Sequence, residues 1–164
     1  MHDAVAIGKL SHSVLPVDNI DFDDGVSAIF LAGGHGTCAD FVSCPPLQKA
    51  IETLYALDKV VAAVCHGPMG LSGCVRPNDG KPLVEGKKVT AFSNAEEEAV
   101  QKTSLVPFLL EDKMKSLGAT YESGDMWTSK VCVDGKLVTA QNPQSSEECA
   151  NAVVKLLGLS VDKE

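Results

Sequence analysis

The stretch VVAAVCHGPMGL, residues 60–71, decides the fold that we expect for this chain. Its first five residues form a continuous apolar run, which is typical of a strand buried on both faces of a parallel sheet. Cys65 follows this run directly, and Pro68 suits the first turn of a helix. Ala63 and Gly67 are small enough for the crowded strand-to-helix turn of a nucleophile elbow. The stretch therefore predicts a buried strand, an elbow at Cys65 and the start of a helix.

Apolar runs and helical periods on both sides of this stretch predict an α/β domain. VSAIFLA at 26–32 reads as a second buried strand, and PPLQKAIETLYALDK at 45–59 has the period of a helix, so the two form a βαβ unit with the elbow strand. Downstream, the sequence predicts a strand at 87–92, a helix at 106–118 closed by Gly118, a hairpin at 130–140, and a last helix closed by Gly158. This alternation predicts one domain over residues 1–164, an α/β sandwich with a mainly parallel sheet.

Three local features of this prediction are specific enough to be checked. Asp134-Gly135 suits a type I′ turn in the hairpin, and Ser145 with Glu148 fits a capping box at the start of the last helix. Residues 1–25 contain no clear strand, so the sheet is expected to lack the strand and crossover helix with which a doubly wound sheet usually begins.

Composition excludes several classes of protein. The net charge is −8 and no cluster of Lys and Arg occurs, which argues against a surface for nucleic acid. No apolar run approaches the roughly 20 residues that span a bilayer, and the N-terminus lacks the pattern of a signal peptide, so we expect no membrane partner and a cytoplasmic location. The six cysteines show no CxxC spacing and the four histidines complete no zinc pattern, so we expect neither a metal nor disulfides.

Cys65 has two interpretations. It is either an inert cysteine at the end of a buried strand or a nucleophile, and the small residues around the elbow favour the second. The helix N-terminus that follows is expected to favour the thiolate over the thiol and to offer N–H groups to an oxyanion. His66 is either the base or partner of that thiolate, or a surface histidine at a helix start.

Two other segments offer groups that complete such a site. In AGGHG at 32–36 the glycines let the backbone turn sharply after a strand. The Gly34 N–H can then complete an oxyanion hole. The alternative is that these glycines only form a turn, in which glycine pairs are common. NAEEEAV at 94–100 offers a carboxylate that orients His66, or else only solvated charges at a helix N-terminus. Trp127 and the other cysteines are interpreted as packing residues.

These segments together resemble the DJ/PfpI superfamily of class I amidotransferase-like proteins. The resemblance covers residues 26–157 and rests on IFLAGGHG, AVCHGP, VTAFSNAEEEAV, VPFLLED and DGKLVTAQNPQSS. The tail of this pattern is most similar to the branch of heat-shock-type, glutathione-independent glyoxalase III enzymes. The resemblance implies a flavodoxin-like three-layer sandwich, a homodimer, and the conversion of a small dicarbonyl, methylglyoxal, to lactate.

The resemblance also implies roles for single residues. Cys65 would be the nucleophile, His66 its partner and Glu97 the third member of the triad, with Glu96 and Glu98 as alternatives to Glu97. The oxyanion and substrate would be bound by Gly33, Gly34, His35, Gly36 and Gly67. No glutathione, nicotinamide, metal or other cofactor would be needed, because the net reaction is a hydration with internal redox.

The chain departs from this family at its start. The family has an opening strand, a helix and a second strand, with a glutamate beside the cysteine that shuttles a proton. Asp3, Asp18 and Asp21 do not lie in a matching context, so the sandwich is expected to be truncated at its N-terminus. Three further interpretations of the chain stay open. One is a related protein deglycase or thiol amidase, and another is a non-enzymatic stress chaperone or redox-responsive protein, which an uncovered sheet edge favours. The third is a non-functional fragment that does not fold stably alone.

Overall fold

The structure, a computed structural model, describes residues 25–160 and has a mainly parallel sheet at its centre. The sheet order is β1-β2-β6-β5, formed by β1 at Ala28–Leu31, β2 at Val60–Val64, β6 at Leu137–Ala140 and β5 at Val131–Asp134. The first three of these strands are parallel, and β5 is antiparallel to β6. Two short parallel strands, β3 at Lys88–Val89 and β4 at Thr120–Tyr121, form a second sheet, and β3 lies against β5 and β6.

Five α-helices occur among the described residues: α1 at Thr37–Asp40, α2 at Pro45–Ala56, α3 at Asn94–Ala99, α4 at Leu110–Ser116 and α5 at Ser146–Leu156. Helix α2 packs on β1 and β2, and α5 packs on β2, β5 and β6. Two 3₁₀ turns, at Gly67–Leu71 and Pro143–Ser145, follow β2 and β6. The predicted α/β fold with a mainly parallel sheet is confirmed. Within residues 25–160, none of these helices has the length and apolar character to cross a membrane.

Strand β2 forms the middle of the core. All five of its side chains, Val60–Val64, are buried, as the continuous apolar run predicts. Ala50, Ile51 and Leu54 of α2 are also buried in this core, and they are spaced as one face of a helix. Burial of apolar surface at about 25 cal/mol per Å² is the main term that holds the helices on the sheet.

Three predicted elements are longer than those in the structure. Helix α2 ends at Ala56 rather than Lys59, because Asp58 has a φ of 56° and the chain leaves the helix there. Strand β3 pairs over two residues only, because the N–H of Thr90 donates to the side-chain oxygen of Thr139 instead of to a neighbouring strand. Helix α4 begins at Leu110 rather than at 106.

The prediction of a type I′ turn in the hairpin is wrong. The hairpin pairs Asp134 with Leu137, so its two loop residues are Gly135 and Lys136. Only Gly135 has a positive φ, of 61°, whereas a type I′ turn needs a positive φ at both positions. A glycine at the first position alone is the pattern of a type II′ turn, which also suits the twist of a hairpin.

The capping box predicted at Ser145 and Glu148 is also wrong. The hydroxyl of Ser145 donates to the side-chain oxygen of Asn142, so it does not cap α5. A capping box with the same residue types occurs instead at α3, where Ser93 and Glu96 each accept from the other's backbone N–H. The expectations for residues 1–24, including Asp3, Asp18 and Asp21, lie outside the described residues, as do the last four positions of the predicted domain.

Candidate active site

Cys65 lies at a sharp turn between β2 and the 3₁₀ turn at Gly67–Leu71. Its φ is 60°, a left-handed conformation that costs a non-glycine residue roughly 1–2 kcal/mol. Two backbone hydrogen bonds hold it there: its N–H donates to the Ala140 carbonyl over 2.8 Å, and its carbonyl accepts from the Phe92 N–H over 3.0 Å. The predicted elbow is therefore present, with a 3₁₀ turn where an α-helix was expected.

Gly33 and Gly67 allow the loop after β1 to pass directly against the elbow. A Cβ atom on Gly67 would lie 2.2 Å from the Leu31 carbonyl oxygen. One on Gly33 would lie 2.7 Å from the Cβ of Cys65. No side chain fits at such distances, so both glycines are explained by close packing of the backbone.

The side chains of Cys65, His66 and Glu97 form a hydrogen-bonded row. Since a carboxylate only accepts, Nε2–H of His66 donates to Oε2 of Glu97 over 2.7 Å. The neutral ring then has a free acceptor at Nδ1, which lies 3.3 Å from Sγ of Cys65. His66 is fully buried and the Glu97 side chain is 5% exposed. His66 is thus placed to take the thiol proton, with Glu97 orienting the ring.

His35 donates to the other oxygen of the same carboxylate. Its Nε2 lies 2.7 Å from Oε1 of Glu97, and its ring lies 4.1 Å from the ring of His66, centroid to centroid. The resemblance implies a role for His35 in binding the oxyanion or the substrate. The structure places its Nε2 on the Glu97 carboxylate and its ring in the wall of the cavity beside Cys65, so a role in binding the substrate stays a prediction.

Burial decides the charge state of the thiol. It raises the pKa of Cys65 to about 11. The backbone N–H groups of Gly34 and His66 face the sulfur and lower this pKa, but by less than burial raises it. Burial also lowers the pKa of His66, although the hydrogen bond to Glu97 opposes this shift. At neutral pH Cys65 is therefore a thiol and His66 a neutral imidazole. The expectation that the turn favours the thiolate is wrong, because desolvation outweighs both N–H groups.

The two backbone N–H groups that face Sγ of Cys65 are candidates for an oxyanion site. They belong to Gly34 and His66, so the expected contribution of the Gly34 amide is geometrically available. Gly36 lies farther along, at the start of α1, where a Cβ would meet nothing within 4 Å. The structure thus brings Gly34 to the sulfur and keeps Gly36 away from the close contacts.

The three consecutive glutamates have three different environments. Glu97 faces His66 and His35, whereas Glu98 is exposed. Glu96 is fully buried and points away from the triad, where its carboxylate accepts from the backbone N–H of Trp127 and the side-chain amide of Asn142. Of the three alternatives, only Glu97 contacts His66.

A cavity of about 400 Å³ opens above the elbow. Cys65, His66 and His35 line one side of it, and the rest of its wall is mainly apolar, formed by Val64, Phe92, Val100, Trp127 and Pro143. Among the described residues, no Lys or Arg lines it. Trp127 was expected only to pack, yet its ring lies 5.8 Å from that of Phe92 and faces the cavity. Its positive φ of 61° and its bond to Glu96 bring it there, and no local sequence signal shows this.

A larger cavity, of about 730 Å³, lies between Tyr55, Arg76 and Lys87. Its two cations are already paired, Arg76 with Asp79 and Glu85, and Lys87 with Asp134. Within residues 25–160, no cysteine or histidine lines this larger cavity.

Ligand atoms of His35, His66 and Glu97 lie within 4.8 Å of one another, a spacing that a metal ion can use. Both histidines already donate to Glu97, so a metal would have to replace both hydrogen bonds. The hydrogen bonds explain the cluster without a metal, and the absence of a metal from the functional protein stays a prediction.

A profile of the DJ-1/PfpI family matches residues 13–156. The chain belongs to this family. Within the DJ-1/PfpI family it is 39% identical over 147 residues to the probable glutathione-independent glyoxalase hsp3104 of Schizosaccharomyces pombe, an alignment that covers 85% of this chain and 64% of that relative. The resemblance to the glyoxalase III branch is thereby confirmed.

Solved structures of similar sequence confirm the flavodoxin-like fold. Glyoxalase III from Candida albicans matches with a TM-score of 0.80 at 33% identity, over 85% of this chain and 60% of that one. The Rapid Encystment Protein 24 kDa of Francisella tularensis matches with a TM-score of 0.87 at 37% identity, over 94% of this chain and 68% of that one. The chain spans about three fifths of the length of the curated relatives it matches, which it covers to 64%, 59% and 56%.

Proposed function

We propose that this chain contains the cysteine site of a glutathione-independent glyoxalase, which converts methylglyoxal to lactate. The observation that supports this most is the row from Sγ of Cys65 through His66 to Glu97, at the side of a cavity that no Lys or Arg among residues 25–160 lines. A buried thiol beside a neutral imidazole suits addition to an uncharged aldehyde. The names of the relatives, a probable glutathione-independent glyoxalase and glyoxalase 3 of Candida albicans, support a glyoxalase activity.

The first step adds the thiol to the aldehyde carbon. As the bond between sulfur and carbon forms, the thiol proton moves to Nδ1 of His66 and negative charge develops on the aldehyde oxygen. The backbone N–H groups of Gly34 and His66 face this region and stabilise the charge. Return of the proton from His66 to this oxygen then gives a neutral hemithioacetal.

The next steps move hydrogen from one carbon to its neighbour. A base takes the proton from the former aldehyde carbon and returns a proton to the former ketone carbon through an enediol, which leaves a thioester. Water then attacks the thioester carbon, the bond from carbon to sulfur breaks, and the sulfur regains its proton. One methylglyoxal and one water give one lactic acid. The balance requires no glutathione, nicotinamide or metal.

Lactate formation without glutathione tests this proposal. The purified chain is incubated with methylglyoxal, and lactate is measured for the parent, for Cys65→Ala and for Cys44→Ala, a half-buried cysteine outside the cavity. We expect turnover by the parent and by Cys44→Ala, and none by a folded Cys65→Ala. A folded parent that forms no lactate, or a Cys65→Ala variant that still forms it, would contradict the proposal.

A glycated peptide in the same assay separates the proposal from its alternatives. Faster release of the free amine than of lactate from methylglyoxal would favour a protein deglycase. A chaperone function would show as protection of an unfolding protein by both the parent and Cys65→Ala, because surface binding needs no nucleophile.

A further inference from the structure

The carboxylate of Glu97 is held at both oxygens. Oε2 accepts from His66 and Oε1 accepts from His35, each over 2.7 Å. The last torsion of a glutamate side chain is broad when nothing restrains it. With one histidine alone, the carboxylate could rotate away from the best line to Nε2 of His66. The second histidine removes this freedom.

His35 also belongs to the loop that carries the Gly34 amide. Gly34 has a φ of 106°, and a Cβ there would meet nothing within 4 Å. Besides the backbone hydrogen bond from the Thr37 N–H to the Gly34 carbonyl, over 3.1 Å, two side chains tie this loop. The hydroxyl of Thr37 lies 2.9 Å from the Gly34 carbonyl and 3.0 Å from the His66 carbonyl, and His35 binds Glu97.

Ring packing is a separate contribution of His35. Its ring lies 4.1 Å from that of His66 and meets the ring of Phe92 edge-on at 6.1 Å. The His35 side chain is 34% exposed, so its replacement leaves most of the core unchanged. Packing and hydrogen bonding can therefore be separated by substitution, because a phenylalanine keeps a ring and a glutamine keeps a donor.

We propose that His35 is a positioning residue, which through its hydrogen bond to Glu97 fixes both the triad carboxylate and the loop whose Gly34 amide faces Cys65. The loop and the triad then form one unit, so that the acceptor for the thiol proton and the donor to the oxyanion keep their relative positions. This inference rests on the proposed function for its role in turnover. Its effect on the thiol does not require any particular substrate.

The test measures alkylation of Cys65 by iodoacetamide, located by peptide mass mapping, in His35→Phe and His35→Gln. Loss of a hydrogen bond to a buried charged group predicts that His35→Phe reacts about tenfold or more slowly than the parent at equal pH. His35→Gln keeps an N–H that reaches Glu97, so we expect a rate within about threefold of the parent. Thermal unfolding checks that each variant is folded, and His35→Ala replaces His35→Phe if the latter is not.

Two further variants complete the design. Glu98→Gln removes an exposed neighbouring carboxylate and should react like the parent. His35→Phe combined with Glu97→Gln should be little slower than Glu97→Gln alone, because both substitutions remove the same interaction.

Two results would overturn the inference. One is a His35→Phe variant that reacts as fast as the parent, and the other is an equal loss in His35→Phe and His35→Gln, which would show that the hydrogen bond is not what matters. If alkylation follows our expectation but the parent forms no lactate, the proposed function fails while the positioning role of His35 stands.

Discussion

Cys65 combines a left-handed backbone with a buried thiol, and this backbone conformation is unfavourable for a cysteine that only packs. The φ of 60° is held by backbone hydrogen bonds to β6 and to Phe92, so the surrounding strands compensate for the strain. Burial raises the pKa of Cys65 to about 11, which leaves the thiol protonated beside His66. On the proposed function, the nucleophile would therefore be formed only when His66 takes the proton during the attack.

The pH dependence of alkylation tests this charge state. Because the pKa of Cys65 is raised to about 11, the thiolate fraction should grow about tenfold per pH unit through the neutral range and stop growing only near pH 11. The measurement is the rate of Cys65 alkylation by iodoacetamide across this range, with Cys65→Ala as the blank. A rate that is already constant below about pH 7 would mean that the pair rests as thiolate and imidazolium instead.

At the scale of elements, the buried carboxylate of Glu96 joins three segments. It accepts from Ser93 at the start of α3, from Trp127 in the loop before β5, and from Gln141 and Asn142 after β6. Burial alone would raise the pKa of Glu96, but these hydrogen bonds outweigh it and the pKa is lowered. One side chain thus holds the wall that carries Trp127 against the helix that carries Glu97.

Replacement of Glu96 by Gln should lower stability in a pH-dependent way. A carboxyl whose pKa is lowered by folding stabilises the fold above its unfolded value, near 4.5, and this contribution is lost as the pH falls through the folded value. We expect Glu96→Gln to lower the free energy of unfolding by about 2–4 kcal/mol at neutral pH, and the difference from the parent to shrink in acid. Urea unfolding at both pH values measures this. Glu98→Gln, which is exposed, is the control, and an equal effect of the two variants would contradict the account.

The contact between the loop after β1 and the elbow gives a second prediction at this scale. A Cβ on Gly67 would lie 2.2 Å from the Leu31 carbonyl oxygen, so Gly67→Ala must separate β1 from the elbow. We expect it to lower the free energy of unfolding by about 3 kcal/mol and to reduce turnover. Gly36→Ala, where a Cβ meets nothing within 4 Å, should change stability by less than about 0.5 kcal/mol. Equal stability of the two variants in thermal unfolding would show that the contact is looser than described.

At the scale of the whole molecule, the proposed function predicts that charge restricts the substrate. The chain has a net charge of −8, and the part of it that the structure describes places no Lys or Arg at the cavity beside Cys65. Glu96 and Glu97 lie just behind the elbow, and both add negative potential at the thiol. A neutral dicarbonyl meets no electrostatic barrier in such a site, whereas an anion does.

The salt dependence of turnover tests this restriction. We expect kcat/KM for methylglyoxal to be nearly independent of ionic strength. For a similar 2-oxoaldehyde that carries a carboxylate, kcat/KM at low salt should be about tenfold lower than that for methylglyoxal. It should rise with added salt, because salt screens the repulsion. Preference for the anionic compound at low salt would contradict this description of the cavity.

Sequence reasoning reached the parts of the molecule that depend on local pattern. The apolar run at 60–64 predicted β2, and the small residues around Cys65 predicted the elbow, because sterics at a tight turn depend on near neighbours. The bond from His35 to Glu97 joins residues 62 positions apart, and that from Glu96 to Trp127 joins residues 31 apart. Such contacts, and the burial that raises the pKa of Cys65, exist only once the strands are packed, so no local pattern predicted them.

The proposal that Cys65 is the nucleophile of a glyoxalase is tested most directly by locating the covalent intermediate. The parent is quenched in acid during incubation with methylglyoxal, and its peptides are mapped by mass spectrometry. The account predicts a three-carbon adduct on the peptide that contains Cys65 during turnover, which disappears as the substrate is consumed. Lactate formation with adducts only on lysine, arginine or other cysteines, and none on Cys65, would contradict it.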